Sequence, residues 1–172
     1  RLLSRDLGEL HVHRLDVGRF RNEAWSLLDQ VEMDVADRFY HASDRQRYIF
    51  AHAVLRLLLS MHCGVNPYEI LFRKGKYGKP ELAFPECAVC FNMSYGNDLL
   101  AFALAEVPVG IDIEKLRCDF DFEAIAHRFF TAEECVFLSE SSTEIEKMER
   151  FFFLWCRKEA LVKAAGLSID VM

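Results

Sequence analysis

The sequence has no apolar run approaching the roughly 20 residues of a membrane-spanning helix, because Arg56 interrupts its richest stretch. That argues against a membrane role. Positive charge is not in excess either. Twenty-one Lys and Arg against 27 Asp and Glu leave a formal net charge of −6 and a pI near 5.5, which argues against a general nucleic-acid binder and still permits a local basic pocket. The six cysteines are scattered, and no second cysteine pair or histidine pair completes a zinc site around Cys87-x-x-Cys90. Reduced thiols and a cytoplasmic setting are the expectation. There is no low-complexity linker and no internal repeat. No secretory leader is visible, and because the chain opens on Arg1 rather than Met, a start further upstream is expected.

At 172 residues the chain fits one domain or two small, tightly packed halves, and 52% hydrophobic residues with 15 Phe supply ample core. Residues 10–17 read as a strand and 23–31 as a short helix. Ser43-x-x-Gln46 has the form of a capping box opening a long helix that stops at Gly64. Residues 69–73 read as a strand and 75–80 as a loop. Strands follow at 89–94, 99–106 and 109–114, the first two joined by a turn at 96–98. Helices are expected at 122–130, from Thr131, and at 144–165. Helices and hairpin strands in both parts make α+β the expected class. The abrupt end after residues 166–170 reads as a C-terminus cut short.

Two segments carry chemistry. In the first, Trp155, Glu159 and Lys163 are spaced i, i+4, i+8, so one helix face presents an aromatic, a carboxylate and an ammonium in a row. Apolar neighbours crowd the other faces, and charges on a buried helix are costly unless paired or bound to something charged. Taken alone, Glu159 and Lys163 also fit a surface pair worth a few tenths of a kcal/mol. The second segment is Gly110-Ile111-Asp112-Ile113-Glu114. Its alternation reads as a half-buried strand that projects Asp112 and Glu114 from one face, about 7 Å apart. Two like charges side by side repel, and a divalent cation removes the repulsion. Carboxylates without Cys or His suit a hard ion such as Mg²⁺, with Glu159 as a third ligand. A solvated strand face is the alternative.

The segments GIDIE (110–114) and WCRKEALVKAAG (155–166) resemble the two signature motifs of the 4′-phosphopantetheinyl transferase superfamily. YGKPEL (77–82), FNMSYGNDLLAFAL (91–104) and RFYHASDRQRYIFAHAVLR (38–56) are similar to its surfactin-type branch, in matching order over nearly the whole chain. The resemblance implies Mg²⁺-dependent transfer of phosphopantetheine from coenzyme A to a serine of an acyl or peptidyl carrier protein, with release of 3′,5′-ADP. It implies a monomeric pseudo-dimer of two α+β halves, here 1–106 on the coenzyme A nucleotide side and 107–172 with the metal site and signature helix. Asp112, Glu114 and Glu159 would hold the metal. Lys163 would meet the phosphate, and Lys79, Arg47, Ser94 and the Tyr95 position would bind coenzyme A. Glu134 matches the general base, although Thr131-x-x-Glu134 is also a capping box.

This chain departs from the branch at Tyr95, where histidine is usual, and near Glu32 and Val35, where two lysines are common. Tyrosine offers phosphate a neutral hydroxyl in place of a charged donor. The resemblance places carrier docking between Glu114 and Glu134, near Phe120, Phe122 and Phe137, with Arg117 and Arg128 as a local basic patch. Two other readings stand beside the transferase: a coenzyme A-binding relative without catalysis, and a Mg²⁺-dependent phosphohydrolase.

Overall fold

A computed structural model describes residues 9–14, 21–96, 98–117 and 119–167. The order is β1 (Glu9–Arg14), α1 (Arg21–Leu27), α2 (Gln30–Ala36), α3 (Ala42–Cys63), β2 (Leu71–Lys74), β3 (Pro80–Phe84), β4 (Cys90–Gly96), β5 (Leu99–Ala105), α4 (Phe122–Phe129), α5 (Ala132–Ser139) and α6 (Glu144–Ala165). The mixture of small sheets and helices is α+β. One sheet has the order β1-β5-β4, antiparallel throughout, and β2 and β3 form a separate antiparallel hairpin.

β5 lies between two strands, which explains why LLAFALA is an almost continuous apolar run. Ala51, Leu55 and Leu59, spaced four apart on α3, pack with Phe91, Leu100, Phe102 and Leu104 of the sheet. Other faces of α3 meet α1 and α2 through Tyr48, Ile49 and Ala53 against Ala24, Leu28 and Ala36. A helix covered on several sides needs no clean polar face. Its C-terminus closes on Gly64 at a φ of 70°, a conformation that glycine enters without a Cβ penalty.

Arg56 sits inside this packing, 1% exposed. Its guanidinium donates to Glu32 at 2.8 Å, Asp29 at 2.8 Å, and the carbonyls of Pro67 and Ile70 at 3.0 and 2.8 Å. Burial alone would raise the Glu32 carboxyl. The hydrogen bond from His52, the Asp29 backbone N–H and the His52 and Arg56 charges outweigh it and hold Glu32 below the usual carboxylate range. A buried ion pair like this costs about 3–5 kcal/mol to break, because the surviving charge is stranded.

The third core joins α4, α5 and α6 through Ala126, Leu138, Phe151 and Phe152. Phe130 and Trp155 both stack on Phe151, with centroids at 5.4 and 5.9 Å.

Several elements differ from expectation. The helix read at 23–31 is interrupted at Asp29, whose side chain accepts from Glu32 N while Glu32 accepts from Asp29 N. That reciprocal cap starts a new helix and turns both acids toward Arg56. α3 begins one residue before Ser43, with His41 as a cap that makes no side-chain bond, so the expected Ser43 capping box does not form. β3 was not foreseen, and β2 begins later than expected because a 3₁₀ turn occupies Pro67–Glu69. β1, Glu9–Arg14, covers residues 10–14 of the first expected strand and begins one residue earlier, and residues 15–17 lie outside the described residues. Among the described residues, strands occur only in the first part: residues 109–114 run as irregular chain and not as a strand.

Candidate active site

Residues 109–114 form no ladder because their backbone groups are met by side chains. Ile111 N–H donates to Asn92 Oδ1 at 2.9 Å, and Ile113 N–H to Ser94 Oγ at 3.2 Å. Asn92 and Ser94 are alternate residues of β4, so they share one face of that strand. The other flank of the segment rests on α6. A Cβ at Gly110 would lie 1.8 Å from Ala160 O and 2.5 Å from Ala164 N. No residue but glycine fits this close approach without movement. Lys79, at the end of the β2–β3 turn, ties the corner together by donating to Val109 O at 3.0 Å and reaching Ala164 O at 3.5 Å. An ammonium on a last-turn carbonyl complements the negative end of α6. Burial pulls the Lys79 ammonium below its ordinary value, against the opposing influence of Cys90 and Glu81.

This arrangement sets the Asp112 side chain, 5% exposed, against α6. Its Oδ1 accepts from Lys163 Nζ at 2.6 Å and from Ser94 Oγ at 3.1 Å. Among the described residues, its Oδ2 is buried without a hydrogen-bond partner in good geometry. The neighbouring Cys156 thiol is pushed up to about 12 by burial first and then by the Asp112 charge, which leaves it inert as a nucleophile. Glu114 is raised by burial and then by Asp112, against Arg117, the Trp155 indole and Lys163. Glu159 is raised by burial, eased by Lys163, and raised again by Asp112 and Glu114. Asp112 thus bears on both Glu114 and Glu159, and Lys163 offsets part of the crowding.

Among the described residues, no three His, Cys, Asp or Glu side chains already form a cage for a metal ion. The donor set nevertheless fits a hard divalent cation. Asp112 has a buried oxygen with no hydrogen-bond partner in good geometry among the described residues, two further carboxylates are held at raised proton affinity beside it, and such ions take oxygen ligands from carboxylates, water and phosphate.

The other expected residues fall into separate places. Arg47 pairs with Asp44 at 2.9 Å, and both act on Tyr95. Burial raises the Tyr95 phenol, Arg47 lowers it and Asp44 raises it. Tyr95 packs on the α3–sheet core, so it and Ser94 leave β4 on opposite faces. Glu134 completes the Thr131 capping box, accepting from Thr131 N–H at 2.8 Å, and pairs with Lys158 at 2.8 Å. Phe120 and Phe122 turn toward Phe151, at 5.9 and 5.4 Å, whereas Phe137 is more exposed and lies under Arg150. Glu32 belongs to the Arg56 network. Sequence reasoning missed Asn92 as a site residue. The signal was present: Asn92 and Ser94 are polar at i and i+2 in a strand that is otherwise apolar up to Tyr95.

A sequence model described as the 4′-phosphopantetheinyl transferase superfamily matches residues 108–171. The chain is 34% identical to 4′-phosphopantetheinyl transferase HetI of Nostoc sp. (strain PCC 7120) over 167 residues, covering 94% of this chain and 70% of that protein. It is 33% identical to 4′-phosphopantetheinyl transferase gsp of Aneurinibacillus migulanus over 134 residues, covering 78% and 54%. It is 29% identical to 4′-phosphopantetheinyl transferase Sfp of Bacillus subtilis (strain 168) over 147 residues, covering 85% and 63%. The chain thus spans between 54% and 70% of the length of these relatives.

Proposed function

Because the chain belongs to the 4′-phosphopantetheinyl transferase superfamily, we propose that it moves 4′-phosphopantetheine from coenzyme A to a serine hydroxyl of an apo carrier protein. The observation that carries this reading is the convergence of Asp112, Glu114, Glu159 and Lys163 where the 109–114 segment rests on α6. Mg²⁺, held there by the three carboxylates, would draw charge from the pyrophosphate oxygens of coenzyme A.

In the reaction, the carrier serine Oγ bonds to the pantetheine-side phosphorus, and the bond from that phosphorus to the bridging oxygen breaks. 3′,5′-ADP leaves with the electron pair. Lys163 Nζ brings positive charge beside Asp112 to the departing phosphate. The serine proton goes to Glu134. Thr131 N–H and Lys158 both engage Glu134 Oε2, which leaves Oε1 to take it. Arg47, Lys79 and the Tyr95 hydroxyl are assigned to the nucleotide end, with residues 1–106 and 107–172 as the two halves of a monomeric pseudo-dimer that encloses the cofactor.

Intact-mass measurement of a panel of apo carrier proteins incubated with coenzyme A, Mg²⁺ and the protein tests the proposal. A gain of one phosphopantetheinyl group on at least one carrier is expected. Cleavage of coenzyme A with no gain on any carrier would instead establish a phosphohydrolase.

A further inference from the structure

The two hydrogen bonds that tie residues 109–114 to β4 share one register. Asn92 meets Ile111 and Ser94 meets Ile113, each pair separated by 19 positions. A constant difference means the segment runs parallel to β4, as a neighbouring strand would. Here, however, the acceptors are side-chain oxygens in place of backbone carbonyls. The segment therefore stands off from β4 by the length of a side chain, and its two fixed amides flank Asp112. Both acceptors are buried, Asn92 at 7% exposed and Ser94 at 9%. An unmet amide in such a place costs free energy, so the contacts hold the chain in a single placement.

The Ser94 hydroxyl has one proton and two lone pairs. Its proton is given to Asp112 Oδ1 at 3.1 Å, and one lone pair receives Ile113 N–H at 3.2 Å. Ser94 is thus committed to the segment and to the orientation of the carboxylate.

We propose that Asn92 and Ser94 are positioning residues, a side-chain clip that fixes the Asp112 carboxylate for a divalent cation. The proposal rests on the metal assignment of the proposed function and extends it to two residues that are not themselves metal ligands.

The test uses the full chain and its Asn92→Ala, Ser94→Ala and Ser94→Thr variants. Three readings are taken: amide hydrogen exchange at Ile111 and Ile113, affinity for Mn²⁺, and affinity for coenzyme A in EDTA. In the unaltered protein both amides should be protected. Asn92→Ala should release Ile111 and Ser94→Ala should release Ile113. Each alanine variant should weaken Mn²⁺ binding about 10- to 100-fold, the usual consequence of removing a group that orients a metal ligand. Coenzyme A binding in EDTA should not change in Asn92→Ala, and Ser94→Thr, which keeps the hydroxyl, should restore Mn²⁺ affinity. Fast exchange at both amides in the unaltered protein overturns the clip. Weakened coenzyme A binding by Ser94→Ala, with Mn²⁺ affinity intact, overturns the role given to Ser94. Should Asn92→Ala fail to fold, the two Ser94 variants decide the matter. None of these readings needs a carrier, so a protein that shows the clip and its metal effects yet transfers nothing would refute the proposed function and leave the clip standing.

Discussion

Glu134 illustrates how one carboxylate serves two purposes at the scale of single residues. Its Oε2 closes the cap on Thr131, work that an amide oxygen also performs, and forms an ion pair with Lys158 that an amide would weaken. Accepting a proton is different, because a neutral amide cannot do it at neutral pH. Glu134→Gln should therefore cost at most about 1 kcal/mol of stability, the worth of the lost ion pair, and lower kcat about 10²-fold, within the range expected for loss of a general base. Unfolding curves and steady-state transfer kinetics on the same preparation separate the two roles. Unchanged kcat would leave Glu134 as a helix cap alone. In the sequence these two uses could not be told apart, because T-x-x-E spells a capping box whether or not a substrate is nearby.

At the scale of elements, the decisive contact is between irregular chain and helix. α6 was legible to the residue: Thr143 caps its start by accepting from Glu146 N–H, and Gly166 at a φ of 65° ends it. Its i, i+4, i+8 spacing sets Lys163 and Glu159 along one face, where Lys163 meets Asp112 and Glu159 feels its charge. The 109–114 segment was legible only in part. Alternation of Ile and acid reports which way side chains face, and it does not report what the backbone pairs with. That partner is Asn92 and Ser94, distant in sequence. Gly110→Ala should show how much depends on the seat against α6. With Ala160 O only 1.8 Å from the new Cβ, the segment must move. Chemical denaturation should record a loss of about 1–3 kcal/mol, the usual penalty of overpacking, and transfer activity should fall because Asp112 moves with its neighbour. Wild-type stability and activity would mean that the segment shifts without disturbing the site.

At the scale of the whole molecule, the site is assembled from both parts of the chain. The sheet supplies Asn92 and Ser94, the β2–β3 turn supplies Lys79, and α6 supplies Glu159 and Lys163. Much of this order was readable, because hydrophobic spacing and turn residues mark most elements. The long-range polar links were not. Arg56 showed in the sequence only as a charge inside an apolar run, and the fold shows it closed in by Glu32, Asp29 and two carbonyls. Asp112 is where all the supporting elements meet, so the most direct measurement is coenzyme A-dependent labelling of an apo carrier by purified Asp112→Ala beside the unaltered protein, with circular dichroism to confirm that both are folded. The account predicts full labelling by the unaltered protein and none by the folded variant. Near-normal labelling by Asp112→Ala would contradict it.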